Sequence, residues 1–173
     1  MPRPDRRALL IDRLTDHLLA QGLAGASLRP MAAAAGTSDR MLLYYFADRE
    51  ALLGVVLEHV AARMAQGLEA HIAPAARPYA TLLTDVRAAL RDPALRAYMH
   101  LWLEVAARAG RGEALYQSIG ERIANAFLAW AASRLDVDDS RRLAQAALLL
   151  ATVDGLALLD SVGLTALADA AIG

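Results

Sequence analysis

Between Ser27 and Arg49 the chain gathers side chains able to hydrogen-bond to phosphates or to base edges. Arg40 carries a guanidinium that can donate to O6 and N7 of a guanine as a pair, or simply meet a phosphate. Asp39 beside it can accept from a cytosine N4. It can also do no more than favour a helix N-terminus through its negative charge, worth roughly 0.3–1 kcal/mol. Which chemistry is available depends on the elements that hold these groups. The stretch SLRPMAAAAGTSDRMLLYYF, Ser27 to Phe46, reads as two short helices joined by a tight turn. Ser27 is placed to accept from the orphan N–H groups of a helix starting near Leu28, and Gly36 supplies the positive φ that ends it. Thr37 and Ser38 offer a cap for a second helix running to about Tyr45. This is the helix-turn-helix layout, whose second helix enters the DNA major groove. Tyr44 and Tyr45 are adjacent and so point about 100° apart on a helix, which leaves at least one of them exposed.

The flanking segments supply what such a unit packs against. Leu10, Ile11, Leu14 and Leu18 recur at helical spacing and Gly22 closes that helix, with Met31, Leu42 and Phe46 as its core partners. His17 beside the stripe reads as a half-exposed helical histidine. Asp48 is a candidate N-cap for a fourth helix with Leu52, Leu53, Val56, Leu57, Val60 and Met64 on its apolar face. That helix runs to the Pro74–Pro78 region and links a three-helix head to whatever follows. Beyond Pro78 the pattern stays helical. A fifth helix carries Leu82, Leu83, Val86 and Leu90. Asp92-Pro93 caps a sixth, which ends near Gly110, and Leu115 to Trp130 form a seventh. An eighth, from about Asp139 to Val162, is apolar on more than one face and must be buried centrally or against a partner chain. Thr165 to Ile172 make a short ninth.

Composition narrows the function classes. With 173 residues the chain is long enough for a small head and a larger body, and it has no cysteine for disulfides or thiolate chemistry. Net charge is −1, so no general basic field marks a nucleic-acid partner. A DNA interface must rest on where Arg3, Arg6, Arg7, Arg29, Arg40 and Arg49 sit. All 18 basic side chains are Arg and Ala is abundant, the signature of a GC-rich genome. The hydrophobic share of 57% and mean hydropathy of +0.30 raise the question of a membrane span. The most apolar run, Ala146 to Leu164, contains Asp154 and Asp160. A central Asp costs roughly 2.5–3.5 kcal/mol on insertion against about 0.3–0.6 gained per Leu, so no membrane partner is expected. The segment MPRPDRRALLID has charges but no apolar region before them, so no secretory signal is expected and a cytoplasmic location follows.

Catalytic patterns are weak. No Glu is followed by His three positions later, as carboxylate-bridged metal bundles require, and the His100/Glu104 pair offers too few ligands for a metal. Gly-rich phosphate loops, nucleophile elbows and HExxH are missing, so no enzyme activity, metal or cofactor is expected. Tyr98, Met99, Trp102, Tyr116, Phe127 and Trp130 can line a pocket between helices six, seven and eight, or form ordinary core. Asp154, inside the most apolar helix, is costly unless paired. It reads as a ligand or Arg partner, or as a polar contact at a dimer seam where Gly155 lets another helix approach.

With the helices placed, the chain resembles the TetR family of bacterial transcriptional regulators. The residues that carry the resemblance run from Leu10 to about Leu57: ID, then a glycine, then SLRPMAAAAGTS and LLYYFADREALL in the family's order and spacing. Beyond residue 60 it is architectural, supported by ATVDGLALL in the eighth helix. It implies an all-α fold of about nine helices. Residues 1–48 would be a three-helix, helix-turn-helix DNA-binding head, and residues 49–173 a helical ligand-binding and dimerisation body. It further implies a homodimer joined through the last two long helices, bound to a palindromic double-stranded DNA operator as a repressor and released by a small, mainly apolar effector. Thr37, Ser38, Asp39, Arg40 and Met41 match the start of the recognition helix. Tyr44 and Tyr45 match an aromatic pair that reaches phosphates, and Arg49 stands where a Lys usually binds phosphate. Ser27 and Arg29, opening the preceding helix, complete the DNA-facing set. Effector contacts are expected from Tyr98, Met99, Trp102, Tyr116, Phe127 and Asp154. Leu43 departs from the family by replacing a Tyr, which leaves an apolar contact or none there, and Asp39 by placing a carboxylate at an often basic position. The rival reading is a helical protein-interaction or lipid-binding module that uses its helix-turn-helix only for packing.

Overall fold

Asp5 accepts from the Arg7 backbone N–H at 3.0 Å and opens the first helix, α1, Arg6–Gln21. The structure is a computed structural model that describes residues 5–172; Arg3 and the first residues of the N-terminal segment lie outside them. A single 3-10 turn, Gly22–Gly25, leads to α2, Leu28–Ala35, and α3, Asp39–Tyr45. Then follow α4, Arg49–His71; α5, Tyr79–Ala89; α6, Pro93–Gly110; α7, Ala114–Arg134; α8, Asp139–Ser161; and α9, Thr165–Ala170. Among the described residues the only β-type pairing is one bridge between Arg77 and Leu135.

The helix boundaries have local causes. Gly36 adopts φ 66°, and its N–H and that of Thr37 return to the carbonyls of Ala33 and Ala32, closing α2. Ser38 Oγ accepts from the Met41 N–H at 3.3 Å, so Ser38 rather than Thr37 caps α3. Asp48 accepts from Ala51 at 2.7 Å, and Asp92 from Ala94 at 2.8 Å with Pro93 at the first helical position. Ser27 is a correction. Its backbone is extended as an N-cap's should be, but its hydroxyl makes no capping hydrogen bond.

Helices α1 to α3 form the head, and the first half of α4 packs along α1. Leu14, Leu18, Met31, Leu42, Leu52 and Leu53 are fully buried there. His59 and Arg63 on α4 reach Asp12 and Asp16 on α1 at 2.8 and 2.7 Å along the rim of that contact. The second half of α4 continues into a body of α5 to α9, so one apolar core runs without interruption from Leu10 to Ala168. Helix α8 buries Ala146, Leu149, Val153 and Leu156 against its neighbours. By length and composition it could also cross a membrane, and most of it is not buried within this chain.

One buried ion cluster ties the body's far end together. Arg87 on α5, 7% exposed, donates to both carboxylate oxygens of Asp160 on α8 and to Asp169 on α9 at 3.0 Å. The hydrogen bond to Asp160 is the main reason its guanidinium is held above its ordinary value, and the same contacts pull both carboxyls below theirs. Arg87→Ala leaves Asp160 half-buried without its partner and is expected to cost about 2–3 kcal/mol, a fall in Tm of roughly 4–10 °C. Because the folded carboxyls titrate below their unfolded values, the stabilisation is complete at neutral pH. It is lost as pH drops below about 4. Thermal unfolding of wild type and variant should therefore converge in acid and differ at pH 7.

Candidate DNA-reading head and ligand cavity

Helix α3 is held by one residue and presents the opposite face. Leu42 is fully buried, whereas Asp39, Arg40, Leu43 and Tyr44 are exposed along a continuous strip, with Tyr44 77% exposed. Met41 and Tyr45 flank that strip half-buried, and Tyr45 packs on the core while its ring meets Tyr44 edge-on at 5.2 Å. Of the tyrosine pair, Tyr44 therefore has the free reach. Asp39 sits in the first turn of α3, where its charge favours the helix end whatever else it contacts. Ser27 and Arg29 are exposed at the start of α2, and Thr37 is half-buried at the turn. Arg49 is exposed but partly committed: its Nε donates to the Ala26 carbonyl at 3.1 Å, tying α4 to the loop before α2.

The head is braced from the body by a contact that sequence reading did not single out. Glu104 on α6 accepts from the buried Leu23 N–H at 2.7 Å, across 81 positions of chain. Gly22 makes this possible. It has φ 62°, and a side chain there would collide with the Glu104 carboxylate. His17 supports the same turn through Gly25 O at 3.0 Å. Glu104→Ala leaves the Leu23 N–H without an acceptor and is expected to cost about 1 kcal/mol or more, whereas Glu104→Gln keeps an acceptor. Thermal unfolding should rank Gln near wild type and Ala several degrees below; equal values would remove the bond's structural role.

The body holds an apolar cavity of about 90 Å³. Of the expected ligand residues, Met99, Trp102, Phe127 and Asp154 line it, and so does Trp130. Tyr98 and Tyr116 do not. Both are buried on the core side of their helices, and Tyr116, 3% exposed, lies under the Arg108 guanidinium at 5.1 Å. The cavity is also bounded by Met64 and Leu68 of α4, by Val86 of α5 and by Leu90 at its C-terminal end, two helices that sequence reading left out of it. Their apolar spacing carries no sign that distinguishes wall from core. Trp102 Nε1 donates to Asp154 Oδ1 at 3.0 Å, and burial holds the Asp154 carboxyl above its ordinary value.

The outer face of α8 is apolar and uncovered. Leu148, Ala151, Gly155, Leu158 and Val162 recur at helical spacing and all are exposed, Leu148 and Leu158 at 55% each. A Cβ added to Gly155 would meet nothing within 4 Å, so its flat surface faces outward.

The described residues thus combine a helix-turn-helix with an exposed strip on its second helix and, among α4 to α8, an apolar cavity. No protein-family model matches the chain, and no curated protein matches it. Solved structures do. A transcriptional regulator from Rhodococcus sp. Rha1 is 27% identical with a TM-score of 0.71, covering 93% of this chain and 86% of its own. A TetR-family transcriptional regulator from Rhodococcus sp. shares 21% identity at a TM-score of 0.70, over 89% of this chain and 86% of that one. The multidrug binding protein EbrR complexed with proflavin is 25% identical with a TM-score of 0.65, over 89% and 87%. The protein is a transcriptional regulator with the TetR-family fold.

Proposed function

We propose that the protein is a cytoplasmic homodimeric repressor that binds a palindromic operator through its heads and is released when a small, mainly apolar molecule enters the body cavity. The observation that carries the DNA reading is the strip on α3, where Leu42 anchors the helix and Asp39, Arg40, Leu43 and Tyr44 are left outside. In this reading residues 1–48 are the head and 49–173 the body, with α4 as the lever between them. Arg40 pairs with a guanine and Leu43 contacts a thymine methyl. Met41 and Thr37 border the groove, and Asp39 serves the helix end or a cytosine. Ser27, Arg29, Ser38, Tyr44, Tyr45 and the terminal N–H groups of Arg49 meet phosphates and set register.

The dimer forms through α7 and α8, where the exposed stripe of α8 supplies a self-complementary apolar surface and Gly155 the point of closest approach. A two-fold axis there brings two heads to half-sites a helical turn apart. The effector acts by favouring a dimer whose heads no longer match that spacing. The likeness to a multidrug-binding protein that holds proflavin supports an aromatic effector.

The test is a mobility shift with DNA flanking the protein's own gene at about 150 mM salt, followed by a thermal-shift screen of metabolites and drugs. A sequence-specific complex released by a compound that raises Tm is expected. Absence of any specific complex from the flanking DNA would sink the operator reading. A specific complex indifferent to every stabilising compound would sink the effector.

A further inference from the structure

Asp154 is the only ionisable residue among those lining the body cavity. Other half-buried carboxylates have basic partners: Asp160 meets Arg87, Asp85 meets Arg77 and Asp92 meets His71. Asp154 has no such partner among the described residues, and its one hydrogen bond comes from a neutral donor, Trp102 Nε1. An ionised carboxylate offers about four acceptor sites, and desolvation without a counter-charge is expensive. The cavity lining also includes the rings of Trp102, Phe127 and Trp130, the last two 5.4 Å apart and tilted by 42°, with the Arg134 guanidinium 6.0 Å from the Trp130 ring. Aromatic faces attract cations, more strongly when both are desolvated. A cavity with one carboxylate that has no cationic partner, aromatic rings in its lining and otherwise aliphatic walls lacks one thing, a single positive charge.

We propose that this cavity selects flat aromatic monocations, with Asp154 as the counter-ion and the Trp102, Phe127 and Trp130 rings as the walls. This rests on reading the cavity as the effector site and adds the charge of the molecule to it. A neutral aromatic of the same shape leaves the carboxylate uncompensated. A dication brings a second charge that the aliphatic walls cannot pair.

The chain's two tryptophans both line the cavity, so intrinsic fluorescence reports on it directly. N-methylquinolinium and 1-methylnaphthalene, a charged and a neutral molecule of closely matched shape, are titrated into the full-length protein with saturable quenching as the readout. The wild type should bind the cation at least tenfold more tightly. Asp154→Asn keeps an acceptor for Trp102 and should lose at least tenfold for the cation while binding the naphthalene as well or better. Asp154→Glu, which keeps the charge, should retain the cation preference. Equal wild-type affinities, a preference for the neutral probe, no saturable quenching by the cation, or an Asp154→Asn protein that still prefers it would each overturn the proposal. Operator mobility shifts of ligand-free wild type and Asp154→Asn, run in parallel, keep this outcome separate from the DNA reading. Cation selectivity without operator release would count against the effector role and leave the ligand class standing.

Discussion

If the proposed dimer forms through α8, Leu148→Glu and Leu158→Glu are expected to convert it to monomers and to lower operator affinity by about 100- to 10,000-fold, the gain that linking two heads supplies. Both side chains point out of the protomer, so neither substitution disturbs its core. In a two-fold interface each mutation appears twice, and the new carboxylates would be buried together or near the axis without partners. Sedimentation or light scattering reports the mass, helical circular dichroism the retained fold, and mobility shift the loss of the operator complex. Dimers that persist in both variants would move the interface away from α8. Monomers that bind the operator as tightly as wild type would remove the need for two heads. The same stripe explains how α8 can satisfy the length and composition of a membrane span: its apolar residues are divided between the core and a surface suited to a second protein chain.

The second large effect is expected at Arg40. If its guanidinium pairs with a guanine, Arg40→Ala should weaken operator binding by about 5- to 150-fold and relax specificity at one base pair, with binding to unrelated DNA little changed. Arg29→Ala, at the exposed start of α2, is the control for a phosphate contact. It should weaken specific and non-specific binding alike and reduce the salt slope by about one. An Arg40→Ala protein that behaves like Arg29→Ala would reassign Arg40 to the backbone. The comparison is sharper than one at Tyr45, whose ring is half-buried and whose replacement also alters core packing.

Near-neutral charge and a DNA-reading head are compatible because the head needs only a few well-placed donors. Arg29, Arg40 and Tyr44 are exposed on α2 and α3, while other arginines are spent inside the protein, Arg13 on the Ala35 carbonyl and Arg87 on two carboxylates. Such a protein associates with DNA through local complementarity more than through its total field. Helix α6 carries both Glu104, which accepts from Leu23, and the cavity residues Met99 and Trp102.

Local physics made much of this legible in the sequence. Asp48, Asp92-Pro93, Ser38 and Gly36 act within a few residues of themselves, so the ends of α2, α3, α4 and α6 follow from composition and spacing. The 3.6-residue recurrence of Leu10, Leu14 and Leu18 likewise announces a buried face before any partner is known. What the tertiary structure alone decided concerns choices between residues of equal local standing. Ser27 has the type and place of a cap, yet its hydroxyl is not used as one. Tyr98 and Met99 are neighbours on one apolar face of α6, and only the rotation of that helix against α4, α5 and α8 puts Met99 at the cavity and Tyr98 in the core. Glu104 meets Leu23 across 81 positions, a distance at which no periodicity carries information. Spacing along one helix states which residues share a face. What that face meets is settled by how several helices pack at once, which is why most helix ends could be read from the sequence and the cavity wall could not.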